Sequence, residues 1–303
     1  METGGRMQRR EPGPLFLTTR EVATLLRIKE RKVYELVAEK AIPVSRATGK
    51  LLFPRDMIDA WIRRHVVYRE NPESLVPRPV VFAGSHDPLL DWALRESGSE
   101  IATFFDGSRD GLSRLAAGRA IGAGIHLIGE NGDDWNIGHV DQYLPGAPVV
   151  VLEWARRRQG LVLPLGNPHG IRGVADLAGR RVIGRQEGAG ARVLLDGWLS
   201  CNEGVSVQRL DPPARSETDV AVAVSDGKAD AGVAIEGVAR QYRLDFVPLL
   251  EERYDLVLWR QAVFEPSIQA LLTFARTAAF STRAKELGGY DLTGHGRIHH
   301  NGP

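Results

Sequence analysis

The sequence predicts two unlike parts: a small, basic, helical head and a large α/β body with largely parallel sheets. Three observations predict this. Residues 1–70 carry fifteen Lys/Arg against nine Asp/Glu, although the 303-residue chain has a net charge of only +1. Apolar residues in the head recur at helical spacing. In the body, apolar strand-like runs alternate with Gly-containing turns and helix starts, the pattern of an α/β fold. A length of 303 residues suits about two domains. Hydrophobic residues make up 43% and charged residues 25%, which allows a large core and excludes global disorder. The single cysteine, Cys201, excludes a disulfide framework and a thiolate metal cluster. No apolar run reaches the ~18 residues of a spanning helix. The basic start, METGGRMQRREPGP, leads into no apolar stretch, so no export signal is read. The expected setting is cytoplasmic, with no membrane partner.

In the head, Thr18 can cap a helix, and Glu21, three residues on, can close a capping box. Val22, Leu25 and Leu26 follow at helical spacing. The chain breaks at Arg27-Ile28-Lys29, and a second helix is predicted over about 30–39, with Val33, Leu36 and Val37 on one face. Two short helices with a tight connection outline a helix-turn-helix. Residues 44–53 contain a Thr-Gly turn between short extended segments, a hairpin or wing. Pro54 is expected to start a third helix carrying Met57, Ile58, Trp61 and Ile62. The Pro-rich stretch 68–78 reads as a linker between a DNA-binding domain at 14–67 and a body at 79–292.

The phrase LTTREVATLLRIKERKVYELVAEKAIPVSR, the wing GKLLF and the helix PRDMIDAWI together resemble the excisionase/MerR-type winged helix-turn-helix. The resemblance implies double-stranded DNA as a partner. The second helix would enter the major groove and the wing would touch the backbone. Lys29, Arg31, Lys32 and Tyr34 would then face DNA from the helix, with Arg46 and Lys50 on the wing. A reader of palindromic sites works as a homodimer. No long heptad is visible to form one.

In the body, strand, turn and helix start recur at Val80–Ala83 with Gly84-Ser85-His86-Asp87, and at Ile101–Phe105 with Asp106-Gly107-Ser108-Arg109. They recur again at Arg181–Gly184 with the Arg185–Ala191 turn. Such corners offer free helix N-terminal amides, which favour anions. Ligands in this architecture bind at the carboxyl ends of the strands.

The stretches AGSHDPLLDWAL, DGSRDGLSRLAAGRAIGAGIHL, GNPHGIRGVADLAG, SDGKADAGVAI and EERYDLVL resemble the type II periplasmic-binding-protein superfamily, in its regulator-attached branch. The resemblance implies two α/β lobes joined by two crossing strands, about 79–158 plus 249–292 and about 160–247, with a ligand between them. The solute-binding branch that is most similar takes molybdate or tungstate. It clamps a tetrahedral oxyanion with serine hydroxyls, helix amides and a tyrosine. The corresponding residues are Ser85, Ser108, Ala189, Thr218 or its neighbour, and Tyr254. One corner departs from that pattern: Gly188-Ala189-Gly190-Ala191 stands where a hydroxyl-rich G-S-G-T is expected. Arg109, Arg185 and Arg192 lie near the corners and suit carboxylate or phosphate as well. His126, in AGIHL, is either a satisfied core histidine or part of the cleft.

Catalysis is not expected. Ser85-His86-Asp87 are chain neighbours, and a relay is built from distant segments. No nucleophile elbow, Walker motif or dinucleotide fingerprint occurs. No cofactor is implied; molybdate or tungstate would act as effector. The reading is a DNA-binding regulator that responds to a small anion. The alternative is an accessory or architectural DNA-binding protein whose body is a non-sensing scaffold. His299 and His300 in the polar tail receive no role, and Cys201 is expected to pack at a helix end.

Overall fold

The computed structural model describes residues 14–46, 49–64, 77–129 and 135–303. Most of the expected linker, the Thr48 half of the wing turn and the loop at 130–134 lie outside the described residues. The chain divides into two units, Met1–Val76 and Pro77–Pro303.

The first unit contains β1 (Phe16–Leu17), α1 (Thr19–Leu26), α2 (Glu30–Ala38), β2 (Phe53–Pro54) and α3 (Arg55–Arg64). The capping box forms as the sequence predicts. Thr18 Oγ1 accepts from the Glu21 amide at 3.3 Å, and the Glu21 carboxylate accepts from the Thr18 amide at 2.7 Å. Arg27 ends α1 in the left-handed conformation, φ 53°. Leu17, Val22, Val33, Val37, Ile42, Phe53 and Ile58 form one buried cluster. Ser45 and Leu52 exchange backbone hydrogen bonds at 2.7 and 3.0 Å, which closes the base of the wing. Pro54 pairs with Phe16 as the last residue of β2, so the third helix starts one residue later than predicted.

The second unit begins with β3 (Val81–Gly84), α4 (Pro88–Glu96), β4 (Ala102–Phe105), α5 (Ser108–Ala116), β5 (Gly122–Ile125) and α6 (Ile137–Tyr143). It continues with β6 (Val149–Leu163), β7 (Arg181–Ile183), α7 (Gly190–Cys201), β8 (Gln208–Arg209), α8 (Glu217–Ser225), β9 (Ala231–Ile235) and α9 (Glu236–Gln241). The last elements are β10 (Asp245–Trp259), α10 (Pro266–Phe274), α11 (Ala278–Leu287), β11 (Tyr290–Asp291) and β12 (Ile298–Asn301). The strand order is β4-β3-β5-β10-β6-β9-β7-β8. β3 is parallel to β4 and β5, and β7 is parallel to β8 and β9.

Two strands of 15 residues, β6 and β10, pair antiparallel along their lengths and join the two halves. One end of β10 pairs with β5, and the far end of β6 pairs with β9. Each lobe has its own core. Phe82, Leu89, Leu112, Trp154 and Phe280 lie in one; Leu161, Leu177, Val182, Leu195 and Val233 lie in the other.

The tail departs from expectation. Past residue 292 the chain continues as β12, which pairs with β6, and His299 Nε2 lies 2.7 Å from Glu153 Oε2. A four-residue strand in polar sequence carries little apolar alternation, so the pattern hides it. Cys201 is exposed at the last turn of α7 instead of packing there. Among the described residues, no helix is long and apolar enough to cross a membrane.

Candidate functional site

The lobes approach each other at the N-termini of α5 and α7. A β-carbon built on Gly107 would lie 3.4 Å from the Gly188 carbonyl oxygen and 3.5 Å from Ala189 Cα. One built on Gly190 would lie 2.7 Å from both His126 Cε1 and the His126 carbonyl oxygen. Gln186 Nε2 donates across the boundary to the Asp106 carbonyl at 3.4 Å. At Gly190 a side chain would hold the lobes apart; at Gly107 a β-carbon would make ordinary contact, and it is the φ of 110° that favours glycine there.

Neither α5 nor α7 has a side-chain cap. Their N-cap residues are Gly107 and Ala189. The first N–H groups of a helix have no partner within it, and the dipole makes that end positive. Asp87 caps α4, Ser216 caps α8 and Thr277 caps α11, whereas α6, α9 and α10 also have no side-chain cap, so what sets α5 and α7 apart is that their N-termini meet across the lobes. Ala189 and Ala191, which lack hydroxyls, are buried at 1% and 2% exposure, and the Ala189 amide already donates to the Gln186 carbonyl at 3.3 Å.

His126 sits at the centre of this corner, buried. Its Nε2 lies 2.9 Å from Ser85 Oγ and its Nδ1 lies 2.7 Å from Glu252 Oε2. Its amide donates to Ser108 Oγ at 3.2 Å. Ser85, Ser108, His126 and the Ala189 corner are thus brought together from β3, α5, β5 and α7. Tyr254 joins them differently from the expectation. Its hydroxyl donates to the Ser85 carbonyl, and its ring stacks on His126 with centroids 6.0 Å apart. Its one proton therefore orders the β3 corner. Burial, with Asp87 adding, pushes the Tyr254 hydroxyl well above its ordinary range.

The other predicted ligand residues separate. Arg185 is buried; its Nε donates to Gln186 Oε1 at 3.1 Å and its Nη2 to the Arg215 carbonyl at 3.0 Å. Burial lowers its guanidinium from the ordinary range. Arg109 is exposed and Arg192 pairs with Asp196 at 2.7 Å. Thr218 is half-buried on α8; its neighbour Glu217 is the residue that turns inward, accepting from the Ile235 amide at 3.0 Å and from Gln159 Nε2 at 3.5 Å.

Beneath His126 lies a charged floor that the sequence reading missed. Arg157 on β6 donates to Asp87 Oδ2 at 2.9 Å and to Glu252 Oε1. Tyr290 on β11 donates to Asp87 Oδ2 at 2.7 Å. Burial pushes the Glu252 carboxyl up, but Arg157 and His126 pull it further down, so it lies below the usual carboxylate range. The available signal was strand alternation. In Arg156-Arg157-Arg158 the outer two are exposed and the middle one is buried, as period two requires.

Ser108 Oγ accepts the His126 amide at 3.2 Å, and its hydroxyl would be the donor to a bound anion. Ser108→Ala is expected to lower affinity for a bound anion by about 1–2 kcal/mol, measured by titration calorimetry. It also leaves a buried amide unpaired, so a loss of stability of about 1–3 kcal/mol should accompany it in thermal unfolding.

On the first unit, Lys29, Arg31, Lys32, Tyr34, Arg46 and Lys50 are all exposed. They are not equivalent electrostatically. Arg31 Nε and Lys32 Nζ both pair with Glu35, at 3.3 and 3.1 Å. The hydrogen bond and charge of Glu35 raise the Lys32 ammonium from its ordinary range.

Residues 92–276 match the model of the PBP superfamily domain, which covers more than half of the chain. The chain therefore belongs to the periplasmic-binding-protein superfamily. Residues 16–66 match a helix-turn-helix domain. Binding and regulation, not catalysis, characterise both domain types, and among the described residues no group of three or more His, Cys, Asp or Glu could hold a metal ion. The chain is similar to "Uncharacterized protein YvgK" of Bacillus subtilis (strain 168). Identity is 28% over 298 residues, covering 91% of this chain and 96% of the relative. It is also 34% identical over 99 residues to an "Uncharacterized protein in ferredoxin 2Fe-2S gene 5'region" of Clostridium pasteurianum, covering 31% of this chain and 88% of the relative. Among solved structures it is similar to an ancestral amino acid-binding protein, AncCDT-1, at 13% identity and a TM-score of 0.47, over 68% of this chain and 93% of that one.

Proposed function

We propose that the protein is a DNA-binding transcriptional regulator whose body senses a small oxyanion, with molybdate and tungstate as the first candidates. The observation that carries this reading is the pair of uncapped helix N-termini, α5 and α7, meeting from opposite lobes. Two positive dipole ends brought together repel, and an anion between them turns repulsion into attraction on both sides. Ser85 and Ser108 add hydroxyls at the same corner. A tetrahedral oxyanion accepts many hydrogen bonds, so it can draw on both lobes at once. Arg185 stands buried near the floor and favours the same sign of charge.

The head would read double-stranded DNA as a homodimer in the cytoplasm, with α2 in the major groove and the wing on the backbone. Lys29, Tyr34, Arg46 and Lys50 would meet DNA directly, whereas Arg31 and Lys32 must first leave Glu35. Glu35→Gln frees both cations and removes a negative charge from the helix. Its expected effect is tighter DNA binding, about fivefold at low salt and less at high salt. Fluorescence anisotropy over a salt series checks this, and unchanged affinity would take α2 out of the interface.

The ligand assignment is tested by calorimetric titration of the full chain with molybdate, tungstate, sulfate, phosphate and small carboxylates. Selective binding of one oxyanion, weakened by Ser108→Ala, is the expected result. No binding by any of them would refute the anion reading.

A further inference from the structure

We propose that Ser85, His126 and Glu252 form a proton-linked selector, in which a fully ionised anion enters the cleft together with one proton that His126 takes up. The inference rests on the anion reading above and specifies the chemistry of that site.

The hydrogen-bond roles follow from the geometry. Glu252 accepts from Arg157, whose guanidinium cannot lose its proton in a protein, and an ionised carboxylate only accepts. His126 Nδ1, 2.7 Å from the other Glu252 oxygen, is therefore a donor. The state of Nε2 then decides the state of Ser85, 2.9 Å away. With a neutral ring, Nε2 accepts the only proton of the Ser85 hydroxyl, so Ser85 can offer a ligand nothing but a lone pair. With a charged ring, Nε2–H donates to Ser85 Oγ, and the serine proton turns outward.

An ionised oxygen at Ser85 needs that outward proton. Its binding must therefore bring a proton onto Nε2. The balance is simple: protein, anion and one solvent proton give one complex, in which the serine proton stays on Oγ, its hydrogen bond turns from Nε2 to the anion's oxygen, and the solvent proton is on Nε2. No bond between heavy atoms is made or broken.

The surrounding charges favour this coupling. Glu252 on β10 touches His126, and Arg157 on β6 links Glu252 to Asp87 at the cap of α4; Glu217 on α8 acts on Arg157 and on Arg185 at longer range. The hydroxyls of Tyr254 and Tyr290 stay protonated there, because burial, followed by Asp87, pushes both well above their ordinary range. The buried network in contact with the ring thus holds two carboxylates and one guanidinium before any ligand arrives. The uncapped N-terminus of α7, at Gly190 against the imidazole, adds only a partial positive charge. The helix N-termini attract the anion, and a proton taken up with it lessens the negative charge that this network must accommodate.

Glu252 is a positioning residue in this scheme. It fixes the ring so that Nε2, and not Nδ1, meets the serine, and it stabilises the charged ring. A ligand carrying an O–H at the Ser85 position would need the opposite state. The selector therefore discriminates between ionised and protonated forms of the ligand.

The sign of the pH dependence follows. The bound anion raises the affinity of His126 for its proton, so anion affinity is greatest at low pH and is lost as pH rises. The slope approaches about tenfold per pH unit once the free ring is neutral.

The test is calorimetric titration of the full chain with sodium molybdate and with sodium sulfate between about pH 6 and pH 8.5, across the histidine range. Each pH is run in two buffers of different ionisation enthalpy. Both anions are fully ionised there and cannot supply the proton themselves. The expected result is a buffer-dependent heat corresponding to about one proton taken up per anion at the upper end of the range, with affinity falling as pH rises. In Glu252→Gln the ring is held less firmly charged, and the same loss of affinity should begin at lower pH. Any heat of binding that His126→Gln retains should be independent of the buffer. Binding by the wild type with buffer-independent heat and pH-independent affinity would overturn the inference while leaving the anion reading intact. No heat from any anion at any pH would overturn both.

Discussion

Arg157→Ala is expected to destabilise the body by about 3–5 kcal/mol, more than any other single change considered. The substitution leaves Asp87 and Glu252 buried without their shared cation. An unpaired carboxylate in a low-dielectric interior costs far more than the pair contributes while intact. The guanidinium also lies over the Tyr254 ring, 4.3 Å from its centroid, so packing is lost as well. For a unit of this size the midpoint of thermal unfolding should fall by about 10 °C. Calorimetry of the purified variant measures it. Acid should mimic part of the effect. Because the Glu252 carboxyl lies below its ordinary range in the fold, it contributes stability that is present above the unfolded value of roughly 4.3 and is lost as pH falls through the folded value. Removing Arg157 should flatten that acid limb.

Gly190→Ala is expected to have the largest effect on the cleft. The new β-carbon meets the His126 ring and carbonyl at 2.7 Å, from the opposite lobe. Overpacking of this kind costs about 1–3 kcal/mol when it cannot relax. Here it can relax by letting the lobes part along β6 and β10, so the strain falls on closure and not on folding. Anion affinity should drop by about 5–150-fold, the equivalent of that energy. The unfolding midpoint without ligand should stay near that of the wild type. Small-angle scattering should show a larger radius of gyration for the body. A variant that instead unfolds would place Gly190 inside a single rigid core and remove the hinge from the account.

Much of the fold was legible because its signals are local. Thr18 and Glu21 announce α1, and Arg27-Ile28-Lys29 marks the break before α2. Gly84-Ser85 and Gly107-Ser108 mark strand ends, since each follows an apolar run and precedes a helix. The cleft was legible only in part. Ser85, Ser108 and His126 could be nominated from their corners, and the structure brings them within hydrogen-bonding distance. The acids and the arginine beneath them could not. Glu252 and Arg157 meet because two 15-residue strands run antiparallel, with Glu252 opposite Arg157 in the stretch between two register shifts. That register is set by packing of both lobes, and no local sequence signal carries it. Tyr254 corresponds by resemblance to a ligand-holding tyrosine; in the fold its hydroxyl donates to the Ser85 carbonyl, a contact between β10 and the β3 corner that no local pattern carries. The tail was missed for a related reason: Gly294 admits the Glu153 carboxylate where a β-carbon would stand 2.0 Å from it, and only the folded sheet reveals that fit.

An anion held between the lobes is expected to alter how the head binds DNA. The direct measurement is the affinity of the full-length protein for duplex DNA from beside its own gene, by fluorescence anisotropy at fixed salt, with and without the oxyanion that calorimetry selects. Coupling of about 1–3 kcal/mol predicts a change of about 5–150-fold in either direction, and a much smaller one in Gly190→Ala. DNA affinity that stays the same with saturating anion, in a protein shown to bind both, would contradict the account and favour a scaffold role for the body.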